Sequence, residues 1–305
     1  MLKKNDIVEI ISPGSACTSE EIKKIKNFVK KIGLTPRIFL EKETAIKKAV
    51  SHKLASIAAK TRFEQLKKAI EAQDSKLIWC TRGGYGSAEI LPFLMKMKKP
   101  KQQKILIGFS DISTIATFLI QEWGWKIISA PMLAQFITDD VSKASQQKII
   151  DVVFGKISQL TYTLEGKKIA LSGQVVGGCL SVLCGLFGTK IQPKWQNKIL
   201  FLEDEGESGE RLDRFFNQII TVINESGKKP KAVLLGNFLE ATDHCSPKAE
   251  TILIAIKRFA EKLDKIPLFI EKSKCLGHSK NMMPLVLGAE AKIADGKLTQ
   301  HVIPA

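Results

Sequence analysis

The chain has 305 residues, 44% hydrophobic and 26% charged, a globular mixture long enough for about two domains. No apolar run approaches the roughly 18 residues of a membrane helix, and Asp6 and Glu9 interrupt the first apolar stretch, so neither a membrane span nor a secretory leader is expected. The net charge of +16 raises nucleic acid or an anionic membrane as partners, but the lysines lie along helix faces, as between Glu20 and Lys31, with no arginine-rich arm and no basic-aromatic array, so a solvated surface is the better reading.

In chain order, strands are predicted at Ile7–Ile11, Pro36–Leu40, Leu77–Cys80, Ile105–Gly108 and Lys126–Ser129, with helices between them over 19–32, 54–73, 87–97 and 112–122. The first helix opens on Thr18 and Glu21, spaced as a capping box, and stops at Gly33. Such alternation predicts a parallel sheet covered on both faces, with a ligand site at the carboxyl ends of its strands. Three loops rich in small residues fall there: Ser12–Ser15, Thr81–Gly86 and the turn at Ser110.

Val141–Gly155 reads as a further helix and Lys156–Lys168 as a polar strand. Beyond them strands are predicted at Gln174–Val176, Ile199–Leu202, Ala232–Phe238, Pro267–Ile270 and Leu285–Ile293, and helices over 179–187, 209–225 and 247–264, with Gly177 and Gly178 ending a strand. The expected fold class is α/β: an N-terminal doubly wound parallel-sheet domain over residues 1–155 and a smaller C-terminal α/β domain with a mixed, β-rich sheet over 156–305. Six cysteines (Cys17, Cys80, Cys179, Cys184, Cys245 and Cys275) form no Cys-x-x-Cys pair, so buried reduced thiols in a cytoplasmic protein are expected, with no metal site. Cys17 precedes a helix start, where a thiolate is favoured, but no base lies nearby.

The apolar run ending at Phe109 is followed at once by a helical pattern, which sets Ser110 on a sharp strand-to-helix turn. Such a turn exposes a hydroxyl beside the free amides of a helix start, as a serine nucleophile and its oxyanion site require. The plainer alternative is a helix N-cap, and the second glycine of the Gly-x-Ser-x-Gly elbow is missing. In Arg82–Gly86 no Gly-Lys-Ser/Thr follows and no Gly-x-Gly-x-x-Gly completes itself, so the adjacent glycines suit close backbone approach to a ligand better than nucleotide binding. Glu203 ends a buried strand, though Asp204 competes with it and Glu205 and Glu207 crowd it. Of the four histidines, His52 sits on a charged stretch and His301 near the C-terminus, leaving His278 in a glycine-containing loop and His244 as its rival.

Taken together and in order, Ser12-Pro13-Gly14, Arg82–Gly86, Gly108–Asp111, Gly177-Gly178, Leu202–Asp204 and Gly277-His278 make the chain resemble the serine LD-carboxypeptidases, the peptidase family shared with microcin-immunity peptidases. The resemblance implies Ser110 as nucleophile, His278 as base and Glu203 as its orienting carboxylate, with oxyanion donors from Asp111 and the Gly83-Gly84 turn. It further implies a murein tetrapeptide losing its terminal D-Ala, no cofactor, and a homodimer. Arg82, for the free carboxylate, and Tyr85 are the substrate-binding candidates. Two departures touch the pocket: Cys179 stands where the family often has Asn, and Ala130 where it often has Gly before Pro. A peptidase detoxifying a peptidyl-nucleotide antibiotic is the enzyme alternative, and a basic binding protein without turnover is the alternative of another class.

Overall fold

In a computed structural model, residues 2–39, 57–238 and 246–302 are described. The first half runs β1 (Ile7–Ile11), α1 (Ser19–Lys31), β2 (Thr35–Ile38), α2 (Ala59–Glu71), β3 (Ser75–Cys80), a 3-10 turn (Ser87–Ile90) leading into α3 (Leu91–Leu94), β4 (Ile105–Ile107), a second 3-10 turn (Ser110–Ile112) leading into α4 (Ser113–Trp123), β5 (Ile127–Ser129), α5 (Leu133–Ile137) and α6 (Lys143–Val153). The second half runs β6 (Gln159–Gly166), β7 (Leu171–Cys179), α7 (Leu180–Cys184), β8 (Ile199–Glu203), α8 (Gly209–Ser226), β9 (Ala232–Leu235), α9 (Ser246–Lys262), β10 (Leu268–Glu271), β11 (Leu285–Leu287), β12 (Glu290–Ala294) and β13 (Lys297–His301).

The first sheet has the order β11-β5-β4-β3-β1-β2, parallel except for β11. The chain leaves β1 for β2 and then returns to β3 on the other side of β1, so the strand order reverses between β1 and β3. A crevice opens at the carboxyl ends of the strands at such a reversal. Ser12, just past β1, and Thr81, just past β3, meet there, Oγ to Oγ1, at 2.8 Å. Both faces of the sheet are covered, which explains its unbroken apolar strands: Leu77, Ile78, Trp79 and Cys80 are all fully buried.

The second sheet goes further than the expectation of a mixed, β-rich layer. Its strands close into a barrel in the order β10-β6-β13-β12-β7-β8-β9, with β9 and β10 pairing in parallel to complete it. Strands β7, β8 and β9 are parallel, so Cys179, Glu203 and the residues after Leu235 emerge at one rim. α4 packs against β7. It is buried from Ser113 through Ile120 because the sheet and the barrel enclose it, as expected of a helix without a polar face.

Several boundaries differ from the sequence reading. The 87–97 helix is divided into a 3-10 turn and one short helix, with Pro92 in its first turn. The predicted 54–73 helix begins at Ala59 among the described residues, because Ala58, with φ −51° and ψ 136°, lies outside the helical region. Gly177 and Gly178 lie inside β7 rather than ending a strand. The predicted strand Leu285–Ile293 is two strands: β11 joins the first sheet at its edge and β12 enters the barrel. β13 and α5 were not foreseen.

Candidate active site

Ser110 follows β4 on an abrupt change of direction. Phe109 is extended, and Ser110 takes φ +61°, the left-handed region that costs a residue with a side chain about 1–3 kcal/mol. The N-cap position belongs to Phe109, and the cap has no side-chain hydrogen bond, so Ser110 is not the ordinary helix cap that the sequence allowed. The turn is clamped from the glycine loop. Asp111 is buried, and its Oδ2 accepts from Ser87 N at 2.9 Å while Ser87 Oγ donates to the Asp111 carbonyl. Burial pushes the Asp111 carboxyl up, against the hydrogen bonds from Ser87. The Gly83 backbone lies against Ser110: a Cβ there would stand 3.0 Å from Ser110 Cβ and 3.2 Å from its Oγ. Gly83 O accepts from Ser15 N at 2.8 Å, which fixes this loop to the one after β1. As the second residue of a 3-10 turn, Asp111 has an N–H without an acceptor in that turn.

Arg62 supports these loops from below. It is fully buried, and its Nη1 donates to Pro13 O and Gly86 O, each at 2.6 Å, while Nε reaches Ile57 O at 2.9 Å and Nη2 pairs with Glu89. One guanidinium thus ties the loop after β1 to the loop after β3.

The other half of the site comes from the barrel rim. Glu203, the last residue of β8, is buried, and its Oε2 lies 2.6 Å from His278 Nδ1 and accepts from His278 N at 3.0 Å. The chain passes this close because residue 277 is glycine: φ is +96°, and a Cβ would stand 2.5 Å from Glu203 Oε2. Asn237, beyond β9, is buried and donates from Nδ2 to His278 O at 2.6 Å, and its own N–H donates to Leu276 O at 2.7 Å. The Phe109 ring rests on the imidazole, centroids 4.7 Å apart, so the residue before Ser110 touches the histidine directly. Burial pulls the His278 pKa down, but the charge and hydrogen bond of Glu203, followed by the charges of Glu205 and Asp204, outweigh it and push it up to about 9.

Asp204 has a different task from Glu203. Its carboxylate accepts from Ser181 N at 2.6 Å, Ser181 Oγ at 3.2 Å and Glu205 N at 2.8 Å, with Cys179 Sγ at 3.4 Å. Burial and the neighbouring Glu203 charge push Asp204 up to about 6. The histidine's carboxylate partner is therefore Glu203. Among the described residues Ser110 Oγ and His278 Nε2 form no hydrogen bond; Glu205 Oε2 stands 3.1 Å from Nε2 instead. Glu205 and His278 share a cavity of about 500 Å³ with Asp139, Asp140 and Lys280.

Arg82 is half-exposed on the glycine loop, and its Nη2 donates to Glu21 at 2.9 Å. Tyr85 is 54% exposed on the same loop. His52, His244 and Cys245 lie outside the described residues. The five described cysteines are free and buried, and burial pushes the Cys17 thiol up to about 11, so it is no thiolate. Sequence reasoning did not find Asn237 or the position of Glu205. A polar residue one glycine past the apolar Ala232–Leu235 run was the available signal for Asn237; Glu205 looked like one more acid in a solvated loop.

Two family models cover most of the chain: the LD-carboxypeptidase N-terminal domain matches residues 8–130 and the LD-carboxypeptidase C-terminal domain residues 172–293. The chain belongs to the LD-carboxypeptidase family. A Rickettsia conorii protein named as a carboxypeptidase is 30% identical over 96% of this chain and 90% of its own length. The murein tetrapeptide carboxypeptidase of Pseudomonas aeruginosa is 29% identical over 59% of this chain and 61% of its own. Among solved structures, an MccF-like protein from Bacillus anthracis shares this LD-carboxypeptidase fold with a TM-score of 0.80 at 20% identity, covering 99% of this chain and 98% of that one. Each family model falls on one half of the site: Ser110 lies in the N-terminal match, and Glu203 and His278 in the C-terminal match.

Proposed function

We propose that this LD-carboxypeptidase hydrolyses the L,D peptide bond releasing terminal D-Ala from murein tetrapeptides, with Ser110 as nucleophile, His278 as base and Glu203 as its orienting carboxylate. The observation that carries the reading is the 2.6 Å Glu203–His278 contact set beside the strained Ser110 turn through the Phe109 ring. Glu203 on Nδ1 leaves Nε2 as the nitrogen that serves Ser110. Neutral His278 takes the hydroxyl proton through Nε2 as Oγ adds to the carbonyl carbon. The oxyanion is met by the amides of Asp111 and the Gly83-Gly84 turn, a donor of this kind contributing about 3–4 kcal/mol. The imidazolium then protonates the leaving amine of D-Ala, and water, activated by the same nitrogen, releases the acyl group from Ser110.

A carboxypeptidase also needs a cation for the substrate's free carboxylate. Arg82 is the candidate: Glu21 engages one of its terminal nitrogens, and the side chain is 38% exposed. The proposal includes a cytosolic location and a homodimer, which cell fractionation and light scattering check.

The test uses purified protein, a murein tetrapeptide and EDTA, with products read by mass spectrometry. Release of D-Ala by wild type and none by Ser110→Ala supports the reading; equal release by both overturns it. A second reading, cleavage of a peptidyl-nucleotide conjugate, draws on the exposed Tyr85 ring, which offers a stacking surface at the glycine loop. Preference for such a conjugate over the tetrapeptide, abolished by Tyr85→Ala, would favour it. Salt-sensitive nucleic-acid binding without turnover of either substrate would favour the non-catalytic alternative.

A further inference from the structure

His278 has two carboxylate neighbours of different character. Glu203 is a buried member of a strand, bonded to both the ring and the backbone of His278. Glu205 is the second residue past the end of that strand. Its backbone is anchored by the N–H donated to Asp204 Oδ1 at 2.8 Å, but its side chain is 52% exposed and reaches the ring from the solvent side, 3.1 Å from Nε2. An ion pair with one exposed partner is weak and readily opened.

An imidazole nitrogen presents a single in-plane direction, used either to donate a proton or to accept one. A carboxylate beside Nε2 favours the proton there, and a histidine flanked at both nitrogens by carboxylates is held as imidazolium, which cannot act as a base. We propose that Glu205 is a positioning residue that latches His278 in the resting enzyme: its carboxylate occupies the Nε2 side of the ring, and the base becomes available to Ser110 when that side chain swings out. This rests on the reading of His278 as the base of Ser110. Substrate entering the cavity that Glu205 shares with His278 meets the exposed carboxylate and turns it away.

The other charged groups around the ring do not stand in for Glu205. Glu203 lies at Nδ1, and Asp204 is spent on Ser181 and on the Glu205 amide. Asp139 and Lys143 pair at 2.8 Å across one helical turn, and Asp140 accepts from Thr138 Oγ1 at 2.5 Å. The Lys280 carbonyl accepts from Ser142 N at 2.7 Å, and its side chain lines the same cavity as Asp139 and Asp140.

The experiment compares full-length wild type, Glu205→Gln and Glu205→Asp. The His278 ring signal, identified by its loss in His278→Gln, is titrated by NMR, and the pH profile of kcat/KM for D-Ala release is measured in parallel. In Glu205→Gln the His278 titration and the acid limb of kcat/KM both move to lower pH by about one unit, which gives about fivefold higher kcat/KM one unit below the wild-type midpoint and approaches about tenfold at lower pH. Glu205→Asp, which keeps the charge on a shorter arm, falls between the two. A His278 titration unmoved in Glu205→Gln overturns the latch, as does an acid limb that stays in place while the titration moves. If wild type releases no D-Ala, the functional reading fails, yet the NMR titration still decides whether Glu205 acts on His278.

Discussion

Around Ser110 the backbone does the positioning: a left-handed serine, a glycine whose Cβ would crowd it, and a pair of hydrogen bonds donated by Ser87 to Asp111. Around His278 the work is done by charge: a buried glutamate on one ring nitrogen, an exposed one near the other, and Asp204 next to both. The first half belongs to an open parallel sheet and the second to the rim of a closed barrel, joined through α4 against β7 and the Phe109 ring on the imidazole. The Ser110 half should therefore respond mainly to changes of shape and the His278 half mainly to pH and charge.

The largest expected effect lies in the charged half. Glu203→Gln keeps the shape but removes the charge that holds the imidazole, and a fall in kcat of about 10⁴ is expected from comparable triads. Steady-state assays beside a circular dichroism check of folding read this; a fall under tenfold would break the assignment of Glu203. Next is Arg62→Met, which leaves the Pro13 and Gly86 carbonyls without their buried donor. Removing one member of such a network costs about 3–5 kcal/mol, read as a lower midpoint in urea unfolding. A midpoint within error of wild type would show that the two loops hold their shape without the guanidinium.

Gly83→Ala sharpens the shape side. Its new methyl would press on Ser110, whose Cβ lies 3.0 Å away. Misplacing a nucleophile by a fraction of an ångström is expected to lower kcat by about tenfold to a hundredfold, with little change in pH profile. A shifted acid limb instead would blur the contrast between the two halves.

The smallest effect is a stability change with pH. The His278 pKa is raised from its ordinary 6.5 to about 9, so the folded form binds the proton more tightly. Its stabilisation is complete below about pH 6.5 and is lost as pH rises through about 9. Lys104, which burial pulls down to about 8, acts in the opposite sense above that pH. Wild type is therefore compared with His278→Gln: the gap in unfolding midpoint should narrow between pH 6.5 and 9.5, and a gap independent of pH would contradict the ion-paired histidine.

Much of this was visible in the chain. The apolar runs ending at Cys80, Phe109 and Leu202 stop next to Thr81, Ser110 and Glu203 of the candidate site, because a buried strand must be apolar and its end must turn toward the crevice. Glu203 and Asp204 were hard to separate by sequence, since adjacent residues at a strand end differ only in the direction they face; one turns to His278 and the other to the start of α7. The division of Leu285–Ile293 between two sheets was hidden because the residues on both sides of Gly288 are equally suited to a strand. Closure of the barrel depends on the β9–β10 pairing, a contact of distant segments that no local pattern records.

The most direct measurement is covalent. A serine-directed fluorophosphonate, followed by proteolysis and peptide mass mapping, should place one adduct on Ser110 of wild type. The same adduct should form far more slowly in Glu203→Gln and not at all in Ser110→Ala. An adduct on another residue, or undiminished labelling of Ser110→Ala, would contradict the claim that Ser110 is the nucleophile served by His278 and Glu203.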